Sequence, residues 1–433
     1  MNLKEAKESE ARFEAYIADL ARVMGHKDRE EPLRDYSRGL LTATGRKSVE
    51  PLATAVAPAK VAAKHQSLLH FVGQSEWSDT TVLTKVRQHV QPMMERHGEI
   101  EAFIIDDTSY PKKGKHSVGV ARQYCGQLGK QDNCQDAVSL SIANHHASLP
   151  IGYRLYLPEE WAEDKERRKK AGVPADVTFQ TKPKIAIDLI RHARAEGVPC
   201  GPVLADAGYG VNTAFRDDVT ALGLVYAVGI SPTTTVWAPG TEPVLASQRR
   251  SKNKAATRQR QKKIKPLSVK KLAMGLPQEQ WQIITWREGV DKELTSRFAR
   301  LRVKPAHQYR LKTPRPEEWL VIEWPEDEKM PIKYWFSTLP TDTDFTTMVD
   351  IIKLRWRIER DYQELKQEVG LGHYEGRSWR GFHHHATLCI AAYGFLISEK
   401  ELFPPLQFDI ATRRFKKVAL PKGYRPRGSP AAA

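Results

Sequence analysis

The sequence predicts an α/β protein built on a mixed sheet with flanking helices, preceded by a helical N-terminal domain and interrupted by an inserted, mostly β subdomain. Three observations carry this. Residues 101–230 alternate short apolar runs, bounded by Gly, Pro and acids, with helix-length amphipathic segments, the order that builds an α/β core. Residues 1–100 show helical spacing throughout. Residues 231–333 break the alternation with a basic run and Trp-rich segments of strand length, and helical spacing returns over residues 334–400.

Composition bounds the rest. A length of 433 residues exceeds the roughly 100–200 of one domain. Lys and Arg number 68 against 52 Asp and Glu, a net charge of +16 with a pI near 9.5, as expected of a protein that meets a polyanion. The longest apolar run, Ala386 to Ile397, falls short of the roughly 20 residues of a membrane-spanning helix. The start, Met1-Asn2-Leu3-Lys4, lacks the apolar stretch of a signal peptide, which predicts a cytosolic protein with no membrane partner. Cys125, Cys134, Cys200 and Cys389 form no close pair of the kind zinc or redox motifs use and are read as reduced and structural.

The elements follow in order. Phe13, Tyr16, Ile17, Leu20 and Val23 recur at steps of three and four and mark one helix; a second runs from Ala59 to Val72 after Pro58, and a third from Asp79 to just before Pro92. This helical block reads as a recognition domain, with Arg46 and Lys47 either touching phosphate or lying in a solvated loop. The run Ala102-Phe103-Ile104-Ile105 predicts a buried strand that ends in Asp106-Asp107 at a loop. Two strands, Ala137–Ala143 and Ile151–Leu157, should form a hairpin, followed by a helix near Pro183–Glu196. A second apolar run, Val203-Leu204-Ala205, delivers Asp206 into the Gly-rich turn Ala207–Gly210; a helix near Val211–Leu222 and a strand Leu224–Val228 come next. In the insertion, Arg249 to Lys271 contains 11 Lys or Arg and no acid, including Arg249, Arg250, Lys262 and Lys263, and is expected to follow a DNA backbone in a salt-sensitive manner. Trp281, Trp286, Trp319, Trp324 and Trp335 are read as packing residues, with a platform for a flipped base as the alternative. The core closes with helices over Phe345–Val369 and His383–Ser398, and residues 401–433 form a basic tail. His383-His384-His385 point in different directions on a helix and are read as structural or DNA-facing, not as a metal site.

Two acids at the ends of apolar strands, Asp106 and Asp206, sit where an open α/β sheet gathers reactive groups. Paired carboxylates suit a hard cation such as Mg²⁺, which activates water and stabilises the leaving oxygen of a phosphodiester. A third acid is available at Glu359. On a continuous helix Arg355 and Lys366 would share its face, an arrangement that lets the acid hold metal while the cations hold phosphate; an ordinary charged helix surface is the plainer reading of this helix taken alone.

The stretch Leu354-Arg355-Trp356-Arg357-Ile358-Glu359-Arg360-Asp361-Tyr362-Gln363-Glu364-Leu365-Lys366 resembles the last catalytic signature of bacterial DDE insertion-sequence transposases, whose nuclease core is RNase H-like. Glu359 falls on the metal-binding Glu, and Arg355 and Lys366 on the signature's Arg and Lys; the Tyr usual three residues before the Arg is Ile352 here. Ile104–Thr108 with Lys112–Tyr124 is similar to the first-Asp region of the insertion sequence 701 branch, and Ala205–Gly210 to its second-Asp region. With Glu160–Ala162 and His373–Gly381, these blocks span most of residues 35–400. The resemblance implies an RNase H-like core split into residues 101–230 and 334–400, a DNA-end recognition domain over 1–100, and an Asp106, Asp206, Glu359 triad holding Mg²⁺, with Mn²⁺ as substitute. Asp107 is the alternative first acid. It further implies cleavage at terminal inverted repeats and strand transfer into target double-stranded DNA, performed by a homodimer in the DNA complex. A domesticated regulatory DNA-binding protein and a nuclease without strand transfer are the competing expectations.

Overall fold

In a computed structural model the described residues are 3–241, 265–288, 293–306, 315–403, 407–409 and 414–416. They form a mixed α/β fold in two compact units, with a sheet flanked by helices as expected of an RNase H-like protein. Arg249, Arg250, Lys262 and Lys263, and most of the basic tail, lie outside the described residues.

The first unit comprises Met1–Glu101, Asp106–Pro199 and the described part of Trp356–Ala433. Its N-terminal helices are α1 (Leu3–Ala21), α2 (Glu30–Thr42), α3 (Val49–Val56), α4 (Val61–Gly73) and α5 (Asp79–Met94). The predicted face of α1 is buried at Phe13, Tyr16, Ile17 and Leu20. Helix α5 does not stop before Pro92: it carries the proline inside its last turns, because Val82, Val86, Val90 and Met94 are all buried and the packing outweighs one lost backbone bond. Strand β1 (Ala102–Pro111) passes from one unit into the other. It is followed by the antiparallel set β2 (Ala121–Cys125), β3 (Lys130–Ala143) and β4 (Ser148–Leu155), with the expected hairpin closing at Ala143 and Ser148. Helices α6 (Glu159–Glu163), α7 (Lys165–Ala171) and α8 (Lys182–Ala195) complete this stretch.

The second unit comprises Ala102–Ile105 and Cys200–Arg355. Here β1 pairs in parallel with β5 (Val203–Ala205), through Phe103 opposite Val203 and Ile104 opposite Leu204. After α9 (Ala207–Gly210) and α10 (Thr213–Ala221), strand β6 (Tyr226–Gly229) pairs in parallel with β5. The insertion supplies β7 (Thr235–Trp237), β8 (Leu267–Ser268), α11 (Val269–Met274), β9 (Gln282–Glu288), β10 (Glu293–Pro305), β11 (Glu318–Trp324) and β12 (Lys333–Ser337). Antiparallel pairing of β12 with β6, then of β11 and β10, continues the sheet into the insertion, so the insertion extends the core sheet. Its tryptophans pack as expected: Trp281 meets Trp324 edge-on at 5.3 Å, Trp286 meets Phe298 at 5.6 Å, and Arg300 and Arg302 lie over Trp319.

The helix expected over Phe345–Val369 is broken. Helix α12 (Phe345–Lys353) ends at a turn through Leu354 and Arg355, α13 (Trp356–Glu364) follows, and a π-helical turn covers Leu365–Val369. Packing explains the break: α12 lies against β9 and β6 in its unit and α13 against β4 in its own, so each half is anchored separately. The last helix, α14 (Trp379–Leu402), holds the Ala386–Ile397 run, buried against α2, α4, α5 and β4. Among the described residues no helix is long and apolar enough to cross a membrane. The three histidines are structural. His384 stacks on Trp77 at 3.6 Å between the carbonyls of Val72 and Trp77, and His385 contacts the Tyr36 hydroxyl and the Gly370 carbonyl. Burial pushes the pKa of both rings down to about 4. Cys125, Cys134 and Cys389 are buried and Cys200 is exposed.

Candidate active site

Strand β1 does not end at its acids. It continues through Thr108, Ser109 and Tyr110 to Pro111, so Asp106 and Asp107 sit side by side within a strand and their side chains leave on opposite faces of the pleat. On one face the Lys182 ammonium, at the start of α8, donates to Asp107 Oδ2 at 2.6 Å and to Asp136 Oδ2 of β3 at 2.7 Å. Burial opposes the charge on Lys182, yet the two carboxylates push its pKa above the ordinary lysine range. Asp107 is thereby committed to an ion pair. Its backbone N–H donates to Asp106 Oδ1 at 2.9 Å, which orients the neighbouring carboxylate.

On the other face Asp106 is felt by the Glu359 helix. The Tyr362 hydroxyl is held far above its usual pKa by burial and, next, by the Asp106 charge. Lys366 is pushed down by burial, with Cys125, Asp136 and Asp106 opposing. Tyr362 Oη meets Ser139 Oγ of β3 at 2.6 Å, and Lys366 Nζ donates to the Ser109 carbonyl of β1 at 3.1 Å. The π turn lets Lys366 reach that carbonyl, since it departs from the 100° step on which its place beside Glu359 was drawn. Further along α13, Asp361 is buried and accepts from Ser148 Oγ at 2.6 Å and Tyr393 Oη at 2.9 Å, and Arg357 donates to the His146 carbonyl at 2.9 Å. Glu359, three residues before Tyr362, is exposed on the same helix.

In the second unit Asp206 leaves β5 half-buried and caps α9, its Oδ1 accepting from the Gly208 N–H at 2.9 Å. The turn is seated on β6: a Cβ added at Gly210 would lie 1.9 Å from the Gly229 carbonyl oxygen, so only glycine fits.

Of the expected site residues, Asp106 and Lys366 are brought to one region with Tyr362. Asp206 lies on its own turn, Glu359 on the exposed side of α13, and Arg355 in the turn before that helix instead of on its face. Among the described residues no group of three or more His, Cys, Asp or Glu is gathered as a metal site. The donors themselves are all carboxylates, which suit a hard divalent cation and not a soft one. Arg46 pairs with Glu375 at 2.7 Å, while Lys47 is buried with its ammonium on the Leu40 carbonyl, which rules Lys47 out as a solvated phosphate contact. Lys182, Asp136 and Tyr393 were missed in the sequence, because a lysine at a helix start and an acid inside an apolar strand carry no spacing that marks them as partners.

A family described as DDE superfamily endonuclease matches residues 19–293, a range that includes Asp106 and Asp206 and ends before Glu359. A curated relative from Microchaete diplosiphon, "Probable transposase for insertion sequence element IS701", is 32% identical over 166 residues, covering 38% of this chain and 40% of the relative. The chain thus matches about two fifths of that relative's length.

Proposed function

The chain belongs to the DDE superfamily of endonucleases, and we propose that within it the protein is a DNA transposase that cleaves transposon ends and joins them to target DNA by a cut-and-paste route. The observation that carries this reading is the Lys366 ammonium, just past the Glu359 helix, donating to the Ser109 carbonyl of the strand that holds Asp106, with Asp107 withdrawn into its pair with Lys182. The pairing of Asp107 with Lys182 supports Asp106 as the first acid. The relative's printed description supports the reaction class.

Asp106, Asp206 and Glu359 would hold a divalent cation, Mg²⁺ or Mn²⁺. When bound, such an ion polarises water for attack on a phosphodiester and stabilises the leaving oxygen. The chain's own residues do the rest. The Asp107 and Gly208 N–H groups orient two of the carboxylates. Lys366, whose proton is loosened by burial, is a cation for which an approaching phosphate would be a stronger partner than a backbone carbonyl. Arg355 adds positive charge just ahead of α13. The basic segment containing Arg249, Arg250, Lys262 and Lys263, with the net charge of +16, supports binding along double-stranded DNA, both terminal inverted repeats and target, by a cytosolic protein. Holding two ends at once calls for a homodimer in the DNA complex.

The test is cleavage and joining of labelled DNA carrying the element's own ends, with Mg²⁺ or Mn²⁺. Asp206→Asn and Glu359→Gln are expected to lose at least about a thousandfold in cleavage rate while still binding the ends. Cleavage by either variant at the parent rate would remove the proposed metal site. Cutting without joined products would select a nuclease, and binding without metal-dependent cutting by the parent would select a regulatory DNA-binding protein.

A further inference from the structure

Beneath the Asp206 turn lies a buried charged pair that no part of the proposed reaction uses. Arg216 of α10 is 2% exposed and Glu318, the first residue of β11, is 3% exposed. The Arg216 Nη1 donates to the Gly210 carbonyl at 2.5 Å, its guanidinium lies over the Phe336 ring at 5.1 Å, and its Nε is 4.0 Å from Glu318 Oε2. Burial raises the pKa of Glu318 and Arg216 opposes that rise. Arg315, three residues before Glu318, makes a forked pair with Asp217 of α10 at 2.9 and 3.1 Å, so two arginine–carboxylate pairs tie the insertion to this one helix.

A buried guanidinium is costly without a carboxylate, and a plain core would place an apolar residue here. The place of its acceptor in the fold matters. The Gly210 carbonyl closes the turn that Asp206 opens, and that turn already rests on the Gly229 backbone with no room to spare. We propose that Arg216 and Glu318 are a positioning pair for Asp206: Glu318, supplied by the insertion, holds the Arg216 guanidinium in place, and Arg216 pins the Gly210 carbonyl so that the Asp206 carboxylate is presented in one orientation. The inference rests on the reading of Asp206 as a metal ligand. It gives the insertion a role at the site that is separate from any contact of its basic segment with DNA.

The experiment measures Mn²⁺ binding to the full chain without DNA, by loss of the free-ion paramagnetic resonance signal, together with amide hydrogen exchange. Glu318→Gln keeps size but loses the charge, and Arg216→Lys keeps the charge but loses the fork. Each is expected to weaken Mn²⁺ binding about tenfold, the usual cost of removing a residue that orients a metal ligand. Exchange should quicken at Asp206–Val211 and not elsewhere in the unit. Asp206→Asn should abolish the same binding. Affinity within about twofold of the parent in both pair variants, against lost binding in Asp206→Asn, overturns the positioning role while leaving the metal site standing. Quickened exchange across the whole unit, with Mn²⁺ binding falling only as the folded fraction falls, also overturns it in favour of a purely structural pair. Unchanged binding in Asp206→Asn sinks the metal-site reading itself, and the positioning proposal with it.

Discussion

The surroundings of the two strand acids are built by opposite means. Around Asp106 the fixing is electrostatic: Lys182 bridges Asp107 and the buried Asp136, Lys366 donates to the Ser109 carbonyl of the same strand, and Tyr362 meets Ser139 of β3. Around Asp206 it is steric: Gly210 rests on the Gly229 carbonyl at a spacing that excludes a methyl group, and a single guanidinium holds the turn from below. The first is expected to tolerate changes of volume and to fail on changes of charge, and the turn of the second is expected to fail on the addition of one carbon at Gly210.

The sharpest way to break that contrast is Gly210→Ala. Its Cβ would meet backbone, which cannot rotate away, so the turn must leave β6 or the strand must shift. The expected loss exceeds about 4 kcal/mol, in the range that marks a named structural clash, and is read as a large fall in the unfolding midpoint. A midpoint within about 2 °C of the parent would show that the turn is adjustable and the contrast false. Lys182→Met keeps much of the volume but leaves Asp136, 1% exposed in its side chain, without its cation. It should cost about 3 kcal/mol by denaturant unfolding, and adding Asp136→Asn should restore part of it. A double variant no more stable than Lys182→Met alone would mean that the lysine acts through packing and not through charge.

The same contrast explains what was legible in the sequence. Alternation of apolar runs with helices placed β1, β5 and β6 in order, and turn chemistry placed the Ala143–Ser148 hairpin, because local sequence dictates both. The Asp206 turn could be read for the same reason, since Ala207-Gly208-Tyr209-Gly210 carries its geometry in its own glycines. Long-range balances could not be read. Whether a helix continued through Leu354 was decided by what each half packs on, and whether Pro92 ended α5 by the burial of Met94. The pairing of Asp107 with Lys182, 75 residues away, could not be read either, since no local pattern ties an acid to that lysine.

Asp361, two residues after Glu359, extends the comparison to the anchoring of the helix and carries the smallest expected effect, one that grows as pH rises from 3.8 to 7. Burial, against the opposing bonds from Ser148 and Tyr393, pushes its pKa from the ordinary 3.8 up to about 7. A carboxyl whose folded pKa is raised is favoured in its protonated form, so its stabilising contribution is complete below pH 3.8 and is lost as pH climbs through 7. His384 and His385, with pKa values lowered to about 4, behave oppositely: their contribution is complete above the ordinary 6.5 and is lost as pH falls through 4. Comparing Asp361→Asn with the parent cancels the histidines. Asparagine mimics the protonated acid and does not titrate, so the two proteins should be close in stability below pH 3.8, while the variant gains on the parent as pH rises from there to 7. Weaker hydrogen bonds of the amide to Ser148 and Tyr393 would reduce that gain. A stability difference that stays flat from pH 5 to 8 would show that Asp361 is ionised throughout, its charge then being held by Arg357 and the two hydroxyls, and the electrostatic style of fixing seen at Asp107 would extend along the whole inner face of α13.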